Sequence, residues 1–160
     1  MPDLLVGHSL GEFTAAVIAG VMPVADTARL VALRGQLIQA LPAGAMLAVR
    51  QPAAEVAPRL PSELSIATIN APEACVVAGP EAAIDALARQ LEAEGIANQR
   101  LKTSHAFHSA MMEPAVSPFE RAVSRVRLSA PTIPIVSGRT GRPLRSEEHT
   151  SELQSRVSIS

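Results

Sequence analysis

The chain has 160 residues, 48% of them hydrophobic, which is enough for one folded domain and too apolar for a disordered tail. Its 14 Lys and Arg nearly cancel its 15 Asp and Glu, which argues against a nucleic-acid surface held by net positive charge. The single Cys75 excludes an intramolecular disulfide framework and a Cys-rich zinc site, and no apolar run approaches the roughly 20 residues of a membrane span. A signal-peptide pattern is absent at the start, so the expectation is a cytoplasmic α/β protein. With three Phe and neither Trp nor Tyr, its core must be aliphatic.

Leu4-Leu5-Val6 reads as a buried strand that arrives at a tight turn. Residues 10–19 read as a buried helix ended by Gly20, and Pro23 fits the first turn of a second helix that runs to about Ala40. In that helix Leu30, Leu33, Leu37 and Leu41 recur at helical spacing. A self-contained unit follows. It reads as strand (46–49), short helix (53–60), strand (65–69), strand (74–78), helix (81–94) and strand (97–101). The order βαββαβ is that of the ferredoxin-like split motif. Residues 109–127 predict another helix, interrupted or kinked near Pro118, and residues 133–136 a final strand.

The end of the chain differs in composition. None of the 28 alanines lies beyond residue 130, and Gly and Pro stop at Pro143. The eleven residues from Arg145 to Ser155 match the in-frame translation of a common sequencing-library adapter. Residues 145–160 are therefore read as a non-native tail, and the chain as a fragment cut at both ends.

Gly7-His8-Ser9-Leu10-Gly11 is a G-x-S-x-G motif with a strand before it and a helix after it, the context of a nucleophile elbow. There the glycines permit the turn, the helix N-terminus offers partial positive charge, and the Leu10 N–H would face a developing oxyanion. The alternative is a Gly-rich turn around an inert serine. His8 points away from its neighbour and reads as a packing or hydrogen-bonding support of the elbow. Serine needs a base, and His105 and His108 in Ser104-His105-Ala106-Phe107-His108-Ser109 are candidates. A zinc pair is the other functional reading, though no third ligand stands near, and for either histidine alone a loop residue without a role is the simpler one. Arg34 is either a snorkelling surface residue, which composition favours, or a fork for a substrate carboxylate.

Together these segments resemble the acyltransferases that load malonyl units onto acyl carrier proteins, above all the acyltransferase domains of modular type I polyketide synthases. The resemblance covers residues 1–144. It is carried by Gly7-His8-Ser9-Leu10-Gly11-Glu12, Leu30-Val31-Ala32-Leu33-Arg34-Gly35, Ala67-Thr68-Ile69-Asn70-Ala71-Pro72 and His105-Ala106-Phe107-His108-Ser109, with Ile135-Val136-Ser137-Gly138-Arg139-Thr140-Gly141 as a weaker match.

The resemblance implies a partial α/β-hydrolase-like core, residues 1–41 and 105–144, with an inserted ferredoxin-like small subdomain, residues 42–104. It implies Ser9 as the nucleophile that becomes an acyl ester, His108 as general base, and Arg34 as the holder of the malonyl carboxylate. His8, Leu10, His105 and Phe107 would line the substrate. Phe107 would fill the space an α-methyl branch needs, and Leu10 also fits malonyl rather than methylmalonyl selection. Malonyl-CoA is the implied donor and a carrier protein's phosphopantetheine thiol the acceptor, with neighbouring synthase domains as partners and no bound metal or cofactor. The family's Ser–His pair has its imidazole oriented by a backbone carbonyl, from a segment expected beyond residue 144. Its second oxyanion donor is expected upstream of residue 1. Losing that donor costs about 10²–10³ in rate, so the isolated fragment is expected to be poorly active. A serine esterase or thioesterase on a related fold, and an inactive carrier-docking domain, are the competing readings.

Overall fold

Short runs of aliphatic residues build two separate sheets in the computed structural model, which describes residues 2–138 and 140–144. The expected non-native tail, residues 145–160, lies outside the described residues. Two units form, one from residues 2–39 and 115–144, the other from residues 40–114.

In the first unit, strand β1 (Leu5–Val6) leads into helix α1 (Leu10–Ile18), followed by α2 (Val24–Gln39). Helix α5 (Glu113–Val123), all but its first two residues, belongs here too, with β6 (Ile135–Val136) and β7 (Pro143–Leu144). Strand β6 lies between β1, to which it runs parallel, and β7, to which it runs antiparallel. Leu5 faces Ile135 and Val6 faces Val136. Helix α1 ends as its sequence predicts. Gly20 adopts φ 75°, and the Val21 N–H turns back to the Ala16 carbonyl at 2.8 Å. The Ala19 carbonyl then accepts both the backbone N–H and the hydroxyl of Thr132, at 2.8 and 2.9 Å, which fastens the α1–α2 connection to a segment far along the chain. Phe13 of α1 meets Phe119 of α5 edge to face, their ring centres 6.2 Å apart.

Helix α5 runs unbroken through Pro118, where an interruption or kink is expected from sequence, and it ends at Val123 rather than near residue 127. Pro118 lacks the N–H that would reach the Pro114 carbonyl. Ala115, Phe119 and Val123, spaced by one helical turn each, bury one face and hold the helix in place. Strand β7 has no expectation to compare with, since two residues carry no periodicity.

In the second unit, β2 (Ala45–Val49), β3 (Ser65–Ala71), β4 (Ala74–Gly79) and β5 (Asn98–Arg100) form an antiparallel sheet in the order β3-β4-β2-β5. Helix α3 (Ala53–Val56), extended by a 3-10 turn over Ala57–Arg59, and helix α4 (Glu81–Ala93) supply the α layer. Alternation along the strands sorts side chains to two faces. Leu47, Val49, Cys75 and Val77 pack with Val56, Ile84, Leu87 and Leu91 of the helices. Met46, Val76 and Ala78 point the other way and are covered by Ala106, with Leu101, Phe107 and Met111 around them. The two central strands are thus buried on both faces, which is why β2 and β4 read as nearly unbroken apolar runs. This also explains why residues 105–114, expected with the segments 1–41 and 115–144, cluster with the second unit instead. Arg59 pairs with Glu94, and Arg100 of β5 with Glu81 and Asp85, all on the surface where such pairs contribute ~1 kcal/mol or less.

The turn between β1 and α1 rests on Gly7. A Cβ there would lie 2.4 Å from the Glu12 nitrogen and 2.4 Å from the Gly11 carbonyl carbon, both backbone atoms that cannot yield without moving the helix. At Gly11 a Cβ would meet nothing within 4 Å, so of the two flanking glycines only Gly7 is required by close packing. Thermal melting should separate the two: Gly7→Ala lowers the midpoint steeply, whereas Gly11→Ala holds or raises it, since Ala is favoured over Gly in a helix by up to about 1 kcal/mol. Ile84→Ala, which empties a fully buried position, should cost about 2–5 kcal/mol in urea unfolding.

Candidate active site

Ser9 stands at the head of α1 with φ 53° and ψ −119°, a conformation that side chains other than glycine's rarely adopt. A serine at a helix start ordinarily turns its hydroxyl onto the helix's free N–H groups. Here the side chain makes no capping hydrogen bond, and the backbone takes over. The Gly11 N–H donates to the His8 carbonyl and the Glu12 N–H to the Ser9 carbonyl, each at 3.0 Å. The Leu10 N–H has no partner among the described residues, so the helix's positive end presents an unused donor beside the serine hydroxyl. The Leu10 side chain is 47% exposed. His8 is exposed as well, and its backbone carbonyl accepts the Gly11 N–H.

Among the described residues only one other non-glycine has a positive φ, and it is His108, at 58°. Such backbone costs about 1–3 kcal/mol and persists only where its surroundings impose it. Around His108 the imposing groups are identifiable. The Ser109 hydroxyl donates to the Ala106 carbonyl at 2.6 Å, bridging the two residues between them, and accepts the Met111 N–H at 3.2 Å. Ala106 is fully buried against the sheet, and the Gly44 N–H donates to the Ser104 carbonyl at 3.1 Å. The neighbouring His105 is buried with both ring nitrogens engaged. In its neutral form Nε2–H donates to the Leu41 carbonyl at 3.3 Å, and Nδ1 accepts the Ser104 hydroxyl at 2.8 Å. That arrangement anchors the segment and leaves neither nitrogen for a metal. Phe107 is half-buried, its ring centre 6.3 Å from that of His105.

Arg34 occupies the buried face of α2 with Thr27, Leu30 and Ile38. It is 8% exposed, which corrects the surface reading that composition favours. Burial lowers the pKa of its guanidinium, and no carboxylate pairs with it among the described residues. A desolvated cation without an internal anion calls for one from outside.

Ser9, His8, Leu10 and Arg34 therefore lie in the first unit, and His105, Phe107 and His108 in the second. Sequence reasoning missed Ser104 and Ser109, the hydroxyls that fix the histidine segment; their signal was the pair of serines that flank His105 and His108. Among the described residues no three His, Cys, Asp or Glu side chains group as metal ligands, and no helix is long and apolar enough to cross a membrane.

The profile of the acyl transferase domain family matches residues 1–158. The phenolphthiocerol synthesis polyketide synthase type I Pks15/1 of Mycobacterium marinum is 48% identical over 141 residues, covering 88% of this chain and 7% of that protein. The mycoketide-CoA synthase of Mycobacterium tuberculosis is 44% identical over 142 residues, covering 88% of this chain and 3% of that protein. Among solved structures, the acyltransferase domain from the second module of the salinomycin polyketide synthase superposes with a TM-score of 0.88 at 41% identity, covering 99% of this chain and 38% of that one. The malonyl CoA-acyl carrier protein transacylase from Burkholderia pseudomallei does so with a TM-score of 0.88 at 33% identity, covering 100% of this chain and 57% of that one. The chain thus spans less than a tenth of these synthases and between a third and three fifths of these structures. With its family profile matched over residues 1–158, the chain belongs to the acyl transferase domain family.

Proposed function

We propose that this chain carries the reacting residues of a domain that moves a malonyl group from malonyl-CoA, through an ester on Ser9, to the phosphopantetheine thiol of an acyl carrier protein in a cytoplasmic polyketide synthase. The observation that carries the reading is the backbone: among the described residues, the two non-glycine residues held at positive φ are Ser9 and His108, the serine of the elbow and the histidine of the second motif. The domain names of the polyketide synthase and transacylase structures support it. The second unit reads as a ferredoxin-like subdomain, supported by its element order and by the strand order β3-β4-β2-β5. The first reads as part of an α/β-hydrolase-like core, supported by the parallel β1–β6 pair and by the elbow.

Chemistry then follows in two halves. His108 accepts the Ser9 proton as Oγ attacks the thioester carbonyl. The Leu10 N–H stabilises the oxyanion, and CoA leaves as the thiol, its sulfur taking the proton from His108. The carrier's thiol then attacks the Ser9 ester, with His108 accepting its proton and returning it to Ser9 Oγ as the malonyl group departs. Throughout, Arg34 pairs with the free malonyl carboxylate, which offsets the cost of keeping a cation out of water. His105 takes part through the placement of Phe107 and His108, since its own nitrogens are bonded within the unit. Phe107 restricts the volume beside the α-carbon.

The direct test is intact mass of the full acyltransferase domain containing this chain after exposure to malonyl-CoA. A malonyl adduct should form and vanish in Ser9→Ala. No adduct on a folded domain points to carrier docking without catalysis, and release of malonate to water without a carrier points to a hydrolase. Two further outcomes are expected. Arg34→Met keeps the volume while removing the cation, so malonyl loading should fall about 100-fold while the melting temperature does not fall. Phe107→Ala should improve loading of methylmalonyl relative to malonyl by about 10-fold or more, the scale of discrimination that one methyl supports.

A further inference from the structure

The Glu12 carboxylate lies outside every role assigned so far, yet it closes a ring of contacts around the nucleophile. Strand β1 delivers the chain to Ser9, and the Glu12 N–H donates to the Ser9 carbonyl at 3.0 Å. From the first turn of α1 the Glu12 Oε1 accepts the Gly138 N–H at 2.9 Å, across 126 residues of sequence. Gly138 follows β6, the strand paired in parallel with β1, in the register Val6 to Val136. The ring therefore runs from β1 through Ser9 and Glu12 to Gly138, back along β6 and across to β1.

Each member is braced on its own. The turn that holds Gly138 is pinned by Ser137 N–H to the Arg142 carbonyl at 3.0 Å and by Gly141 N–H to the Ser137 carbonyl at 2.8 Å. A Cβ on Gly138 would lie 2.6 Å from Glu12 Oε1, so this hydrogen bond survives only while position 138 lacks a side chain. The backbone of Glu12 forms the floor on which Gly7 packs. A serine at positive φ relaxes unless something fixes both ends of its turn. The strand pairing fixes one end, and the Glu12–Gly138 hydrogen bond ties the other to the same strand pair.

We propose that Glu12 is a positioning residue for the nucleophile, and that it acts as a hydrogen-bond acceptor which locks the elbow to the turn after β6. The inference rests on Ser9 being the nucleophile. The test uses the full acyltransferase domain and reads the rate at which a small uncharged serine-directed organophosphonate labels Ser9, together with kcat and KM for malonyl-CoA loading. The uncharged probe bypasses Arg34 and the carrier. Glu12→Ala should lower the labelling rate and kcat about tenfold with KM unchanged. Glu12→Gln keeps an oxygen acceptor and should restore both to within about threefold of the parent. Gly138→Ala pushes the carboxylate aside at little steric cost, so it should reproduce the Glu12→Ala loss, and the double variant should be no slower than either single one. Labelling of Glu12→Ala at the parental rate, failure of Glu12→Gln to restore it, or additive losses in the double variant would each overturn the proposal. Should Glu12→Ala fail to fold, Glu12→Gln and Gly138→Ala still decide the matter. A parent domain whose Ser9 takes no label instead overturns the nucleophile reading, which separates the two failures.

Discussion

A side chain held in a left-handed backbone conformation is the constraint from which this structure is built. Ser9 at φ 53° cannot sit in the regular geometry of either the strand before it or the helix after it. It therefore forces the chain to reverse within a few residues. Reversal that sharp brings the Gly7 backbone against the start of α1, where only the absence of a Cβ avoids collision. In return the serine hydroxyl is released from capping, and the helix presents an N–H without a partner among the described residues. Strain, close approach and an open donor are one arrangement seen three ways, and each would be lost if Ser9 relaxed to ordinary helical or extended backbone.

The second unit solves a different problem with the same economy of parts. Its sheet would leave Met46, Val76 and Ala78 facing water if only helices α3 and α4 covered it. The segment that follows β5 covers that face, and in doing so it carries His105, Phe107 and His108. Ala106 is the pin. Its methyl is buried in the sheet's second cluster while the hydroxyl of Ser109 holds its carbonyl. The histidine's unusual backbone is thus supported by hydrophobic burial on one side and by a side-chain hydrogen bond on the other.

Much of this was legible in the sequence because it is encoded locally. Gly7 to Gly11 between a strand and a helix predicts the elbow, and Gly20 predicts the end of α1. The unbroken apolar runs 46–49 and 74–78 predict two strands of the second sheet. What escaped depends on partners distant in the chain. Strand β7 exists only because Pro143 and Leu144 lie opposite β6. Helix α5 tolerates Pro118 because its Ala115, Phe119 and Val123 face is buried, Phe119 against Phe13 of the distant α1. Arg34 looks like a surface residue until its neighbours on α2 are known to face inward. Residues 105–114 divide from the first unit by packing that no periodicity within them reveals. Even Gly11, alike to Gly7 in the motif, differs from it only through what stands opposite in space.

The 2.6 Å bond from Ser109 to the Ala106 carbonyl spans only Phe107 and His108. These two side chains therefore share one closed loop of backbone with no slack. A substitution can reshape the Phe107 side chain freely, but an insertion or deletion between residues 106 and 109 must also turn the imidazole. Descendants of this sequence can therefore diversify the contour beside His108 by single-residue exchange. Change in the length of this loop is closed to them as a route.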